Sequence, residues 1–177
     1  MQVELRRIFR KIPWLISYSN NFFSSFNLAP FYPKTRPSKK NIEKFKKYYE
    51  LFILLFEVFM LYMQGIIILA NLGYIFNMVA FLAPAMGILF FFIGTLLEKS
   101  ERNWFIGIRT PWTMSSDKIW HKTHILGGKL FKIAGIIAII GIFFGKIAFF
   151  FIIIPMILFA IYLVVYSYLE YRKLKKN

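Results

Sequence analysis

The residues equipped for chemistry gather in one place. Between Asn103 and Gly128 the chain reads NWFIGIRTPWTMSSDKIWHKTHILGG, a polar stretch set between two very hydrophobic blocks. It holds Arg109 flanked by Gly107, Thr110 and Pro111, three tryptophans, both histidines and the pair Gly127-Gly128. Gly107 and Pro111 bracket Ile108, Arg109 and Thr110, a pattern for a tight turn that aims the guanidinium. Thr113, Ser115 and Ser116 are candidate N-caps for a helix through SSDKIWHKTHIL, with Asp117 in its first turn. An arginine beside free helix amides and hydroxyls suits an anion, whether lipid phosphate, peptide carboxylate or a partner's acidic side chain. The plainer alternative has Arg109 capping carbonyls, or pairing with Glu98 or Glu101, only to hold the loop.

Asp117, His121 and His124 recur at i, i+4 and i+7 and so share one helical face. A carboxylate with two imidazoles is the start of a divalent-metal set, but no clear completing ligand accompanies it. Neither a metal nor a cofactor is expected. Trp104 and Trp112 suit the aromatic belt of a membrane interface, while Trp120 and His124 lie one helical turn apart. A second group of interest is apolar in its setting. Glu57 is the one acid in the middle of a hydrophobic run, and Glu50, Glu57, Gln64 and Asn71 recur every seven residues down one face. Such a stripe either lines a path for an ion, proton or peptide or glues helices together by hydrogen bonds. The expected partner of Glu57 is Lys132, or else a backbone or hydroxyl group.

The elements that must hold these groups are membrane spans. The 177 residues are 58% hydrophobic and 20% aromatic, with mean hydropathy +0.56, too apolar for a soluble domain of this size. Runs at about 50–72, 75–97, 130–145 and 147–169 each approach the ~20 residues that cross a bilayer, the third being shortest. The fold class is therefore all-α integral membrane: four transmembrane helices as two hairpins, joined by the 98–129 motif loop with its short amphipathic helix. Pro84 and Pro155 fall inside spans, where bundled helices tolerate them. Residues 1–47 carry eleven Lys or Arg against Glu4 and Glu43 and read as a basic interfacial arm. The spans and loop make up a transmembrane domain of about 48–171, followed by a basic tail, 172–177.

Net charge is +15, yet the 23 Lys and Arg avoid the apolar runs and cluster at their ends. Anionic lipid headgroups are thus the expected counterpart, and direct nucleic-acid binding is not. Lys and Arg crowd the amino-terminal flank, the motif loop and the tail, whereas the opposite side has only Lys146. By that bias both termini and the motif loop face the cytoplasm of a multi-pass plasma-membrane protein. The absence of cysteine excludes disulfides, thiolate metal sites and a cysteine nucleophile.

Asn103, Gly107, Arg109-Thr110, Thr113, Trp120, His124 and Gly127-Gly128 resemble the signature of the SdpI-type family of integral membrane proteins, over about residues 50–170. Some members carry an extra amino-terminal membrane module where this chain has its basic arm. The resemblance implies immunity to a secreted killing peptide, signalling through a cytosolic regulator, or both, without catalysis. It marks Asn103, Gly107, Arg109, Thr110, Thr113, Trp120 and His124 as binding residues of the loop. The alternative reading is a small transporter or lipid-handling protein, with Glu57 as proton site and Arg109 as anion clamp. A membrane enzyme ranks last, because no complete set of nucleophile, base and oxyanion donor is visible. Self-association stays open.

Overall fold

The computed structural model describes residues 41–176, so the expected interfacial arm falls outside the described residues as far as residue 40. Among the described residues there is no strand. Among the described residues four long helices carry the fold: α1 (Lys46–Asn71), α2 (Met78–Lys99), α4 (Asp117–Ile140) and α5 (Ala148–Lys176), with the short α3 (Pro111–Ser115) in the motif loop. A 3-10 segment, Gly141–Ile147, joins α4 to α5. All four long helices are long and apolar enough to cross a bilayer, and the protein is a multi-pass membrane protein.

Local chemistry sets the ends. Helix α2 starts at Met78, not at 75, because the Asn77 side chain accepts hydrogen bonds from the Val79 and Ala80 amides at 3.1 and 3.3 Å. Helix α5 outruns the expected 147–169 and reaches Lys176, its last turn basic as the helix dipole favours. The largest difference concerns the third span. A separate loop helix followed by a span at 130–145 is the sequence expectation, whereas one unbroken helix runs from Asp117. Gly127 and Gly128 do not interrupt it. Continued through the first turns of the 3-10 segment, it covers 29 residues, about 43 Å at 1.5 Å per residue. That exceeds the ~30 Å hydrocarbon core, so the polar first turns stand beyond the apolar stretch that opens at Leu130.

The bundle is built on the crossing of α2 with α4. A Cβ added to Gly87 would lie 2.6 Å from the Gly135 carbonyl oxygen, and one on Gly135 2.5 Å from that of Gly87. One turn-pair along, Gly94 and Gly128 repeat the arrangement at 2.5 and 2.6 Å. The pairing 87 with 135 and 94 with 128 makes the helices antiparallel, backbone against backbone. Small residues at this seam let the helices approach closely, and dispersion between them replaces the hydrophobic drive that lipid does not supply. Ala83 and Phe90 of α2, Ala134 and Ala138 of α4 and Ile152 of α5 form the buried core beside it. Helix α1 packs chiefly on α2, and only 11% of its apolar window is buried, against 33% for α2 and for α4. An apolar cavity of about 290 Å³ separates the two, lined among others by Leu55, Phe59, Tyr62 and Pro84.

An ion pair spans the same seam. Lys132 Nζ donates to Glu98 Oε2 at 2.7 Å, with the two side chains 26% and 22% exposed. Side chains lean toward their helix N-terminus, so in antiparallel helices these two lean toward each other. Glu98, not Glu57, is therefore the partner of Lys132. This corrects the expected pairing.

Two outcomes follow in purified protein. Gly135→Val lowers thermal stability in detergent, by about 1–3 kcal/mol if the seam must part, whereas Gly65→Ala, with no atom within 4 Å of the added Cβ, does not. Lys132→Met alone costs more stability than the double variant Lys132→Met with Glu98→Gln, since a lone carboxylate left in the seam is the expensive species. Equal losses in the two would show the pair to be solvated.

Candidate functional site

The motif loop folds around two side chains. Asn103, 2% exposed, makes four hydrogen bonds. Its Nδ2 donates to the Glu101 and Ile106 carbonyls at 2.8 and 3.1 Å, and its Oδ1 accepts from the Phe105 and Ile106 amides, both at 2.8 Å. An amide with both ends saturated winds residues 101–106 into a turn of one shape. The second side chain is His124, buried on α4. Its Nε2 accepts the Ile108 amide hydrogen at 2.9 Å, and its Nδ1 lies 2.8 Å from the Trp120 carbonyl oxygen. Accepting at Nε2 requires the neutral ring with its proton on Nδ1, so both nitrogens are spent.

Trp120 stacks on His124, ring centroids 3.8 Å apart at 15°, and donates Nε1–H to the Ser100 carbonyl at 2.9 Å. Gly107 lies against this stack. A Cβ there would come within 2.4 Å of His124 Nε2, and its φ of 126° is one that side chains rarely adopt. Gly127 admits the loop from below, since a Cβ at that position would meet Ile108 Cδ1 at 2.5 Å.

The threonines anchor the other half. Thr110 caps α3, its hydroxyl accepting from the Thr113 amide at 3.2 Å while Thr113 Oγ1 accepts from the Thr110 amide at 3.0 Å. This is a capping box built from two threonines, with Pro111 at the helix start. Thr113 Oγ1 lies 2.7 Å from the Ile108 carbonyl, and Thr110 Oγ1 lies 3.0 Å from Ser167 Oγ on α5. Thr113 is thus a member of this box and not an N-cap of the following helix. Ser116 does hold that N-cap position, but makes no side-chain capping bond there.

Arg109 is exposed, and its Nη1 donates to the Trp104 carbonyl. The carbonyl-capping alternative is the geometry found, and neither Glu98 nor Glu101 is its partner: Glu98 holds Lys132, and Glu101 faces Lys44 at 3.8 Å. A further tie comes from Arg102. Its Nη1 donates to the Met114 carbonyl and its Nε contacts Asp117 Oδ1, each at 2.7 Å. Arg102 therefore closes the loop onto the first turn of α4. Trp104 stands 68% exposed beside Arg109, whereas Trp112 packs on Tyr168 of α5 at 5.0 Å.

Asp117, His121 and His124 share a face by number but not by environment. Asp117 is engaged by Arg102, His121 is exposed, and His124 is turned into the loop with no free nitrogen. Among the described residues no group of three histidine or acidic side chains is placed to hold a metal. The heptad stripe on α1 also divides. Gln64 is buried, Asn71 bonds back to the Ile67 carbonyl, Glu50 pairs with Lys46, and Glu57 is half-buried.

Sequence reasoning missed Arg102, Ser167 and the Lys122–Glu170 pair. Ser167 carried a signal, as a small hydroxyl in an apolar run. Arg102 carried none that sets it apart from its charged neighbours. A direct check of the loop is Gly107→Ala, which combines an unfavourable φ with a clash and costs about 1–3 kcal/mol or more. Gly73→Ala, with a φ of 94° but open space around it, costs less. Near-ultraviolet circular dichroism should report loss of the Trp120 environment only in the first.

A model of the SdpI/YfhL protein family matches residues 99–167. The chain is also similar to the immunity protein SdpI of Bacillus subtilis (strain 168), 30% identical over 108 residues, which is 60% of this chain and 52% of that protein. It spans about half the length of this curated relative. No solved structure matches it. The motif from Asn103 to Gly128, with α4 and most of α5, thus lies in the segment, residues 99–167, over which the chain is similar to the SdpI/YfhL protein family.

Proposed function

We propose that the protein confers immunity to a secreted killing peptide, relays a membrane signal to a cytosolic regulator, or both, without catalysis. The observation that carries this reading is the division of labour in the loop. Asn103, Gly107, Thr110, Thr113, Trp120 and His124 are consumed in holding it on α4 and α5, while Arg109 and Trp104 remain exposed on it. A rigid loop that presents one guanidinium and one indole is suited to recognition of an acidic or carboxylate-bearing group. The similarity to an immunity protein supports the same reading. In this proposal Lys and Arg bias places the loop and both termini in the cytoplasm, and the killing peptide is met in or at the membrane. Transport through Glu57 with Arg109 as anion clamp has less support. The α1–α2 cavity is lined by apolar side chains and Tyr62, and Glu57 is not among them.

Survival is the test. A sensitive bacterium producing the protein is challenged with killing peptides, and wild type is compared with Arg109→Ala and Trp104→Ala at matched membrane abundance. Protection by wild type that falls at least tenfold with Arg109→Ala is expected. Undiminished protection by that variant would remove the loop surface from the mechanism.

A further inference from the structure

Three lysines converge near the loop-side end of the bundle. Lys118 and Lys122 lie four residues apart on the first turns of α4, and Lys173 lies near the end of α5. Between them is Glu170, whose side chain is only 9% exposed although its helix has left the apolar run. Lys122 Nζ donates to Glu170 Oε2 at 2.5 Å and Lys173 Nζ to Oε1 at 3.0 Å. Lys118 is exposed and has no hydrogen bond or ion pair among the described residues. Together with Ile119 and Leu174 these groups line a cavity of about 200 Å³.

The arrangement differs from scattered surface charge. Glu170 holds the Lys122 and Lys173 ammonium groups close together, and Lys118 stands unpaired on the rim of the same cavity. Each ammonium has three N–H donors, so Lys122 and Lys173 keep two apiece after binding Glu170 and Lys118 keeps all three. Two positive charges stay uncompensated. Ile119 and Leu174 supply an apolar wall beside these donors, and on α5 the site begins directly after the apolar run that ends at Leu169, where basic side chains can meet anionic headgroups. From this geometry we infer that Lys118, Lys122 and Lys173, organised by Glu170, form a site for the phosphodiester of an anionic glycerophospholipid. The inference concerns a surface separate from Arg109 and does not depend on the immunity reading.

The test uses the full chain purified in neutral detergent and titrated with phosphatidylglycerol, phosphatidylcholine or soluble glycerol phosphate, with bound lipid counted by native mass spectrometry. Phosphatidylglycerol should bind at least tenfold more tightly than phosphatidylcholine. Lys118→Gln, which breaks no contact, should weaken it about fivefold, as for one lysine at a membrane surface. Lys99→Gln on α2, with the same change in net charge, should weaken it less than twofold. Glu170→Gln gives the sharpest contrast. It makes the protein more basic, so diffuse attraction predicts tighter binding, whereas an organised site predicts weaker binding. Tighter binding by Glu170→Gln, or equal effects of Lys118→Gln and Lys99→Gln, would overturn the inference. So would glycerol phosphate binding as well as the lipid, which would make the ligand a soluble phosphate.

Discussion

Everything in this bundle depends on the close approach of α2 and α4. Gly87 meets Gly135 and Gly94 meets Gly128 with no room for a methyl group on either side. In a bilayer, apolar side chains gain little by leaving lipid for protein, so helix association rests on dispersion and on polar contacts. Two glycine pairs, each seven residues apart on their helices, bring backbone to backbone and maximise the first. The Glu98–Lys132 pair supplies the second. Its position explains how two charges are tolerated in an otherwise apolar seam: each side chain leans toward its own helix N-terminus, and these ends point opposite ways.

The loop inherits its order from that crossing. Because α4 runs unbroken from Asp117, its first turns are a rigid post rising beyond the apolar layer, with Trp120 and His124 on the side that meets the loop. His124 receives the Ile108 amide, Trp120 reaches the Ser100 carbonyl at the end of α2, and Gly127 makes space for Ile108. One helix thus reads both ends of the loop. The Thr110–Ser167 contact adds α5 to the same assembly. Most motif residues are accordingly structural in the immediate sense, and what they accomplish is the presentation of Arg109 and Trp104.

Helix α1 stands apart from this economy. It lacks glycine contacts with its neighbour, since Gly65 has nothing within 4 Å of an added Cβ, and a cavity lies between it and α2. What secures it is aromatic packing at its start, where Tyr49 and the preceding Phe45 are buried against Leu96, with Ile106 of the loop alongside. Tyr62 contributes one further tie by donating to the Phe81 carbonyl at 3.0 Å. The loop-side end of α1 is therefore coupled to the motif, and its middle, where Glu57 lies, is not.

Much of this architecture was legible from the chain alone because it depends on local quantities. Hydropathy over about twenty residues reveals a span, and four such runs were visible with their intervening polar motif. The motif residues were marked by their resemblance to the SdpI-type signature, and Asn103, Gly107, Thr110, Thr113, Trp120 and His124 do meet around one loop. The pairing of charges was not legible. Lys132 was expected beside Glu57 and is beside Glu98; Arg102 ties the loop to α4 while Arg109 caps the Trp104 carbonyl within it; Asp117 and His124, alike by helical number, face solvent and core. Such choices turn on which atoms of distant segments come within 3 Å, and a helical repeat defines a face without saying what covers it. Hydropathy and composition were enough to identify four membrane-spanning runs with one polar motif loop between them. Which polar groups hold that loop and which stay exposed on it emerges from the packed bundle, because the α2–α4 crossing sets those distances.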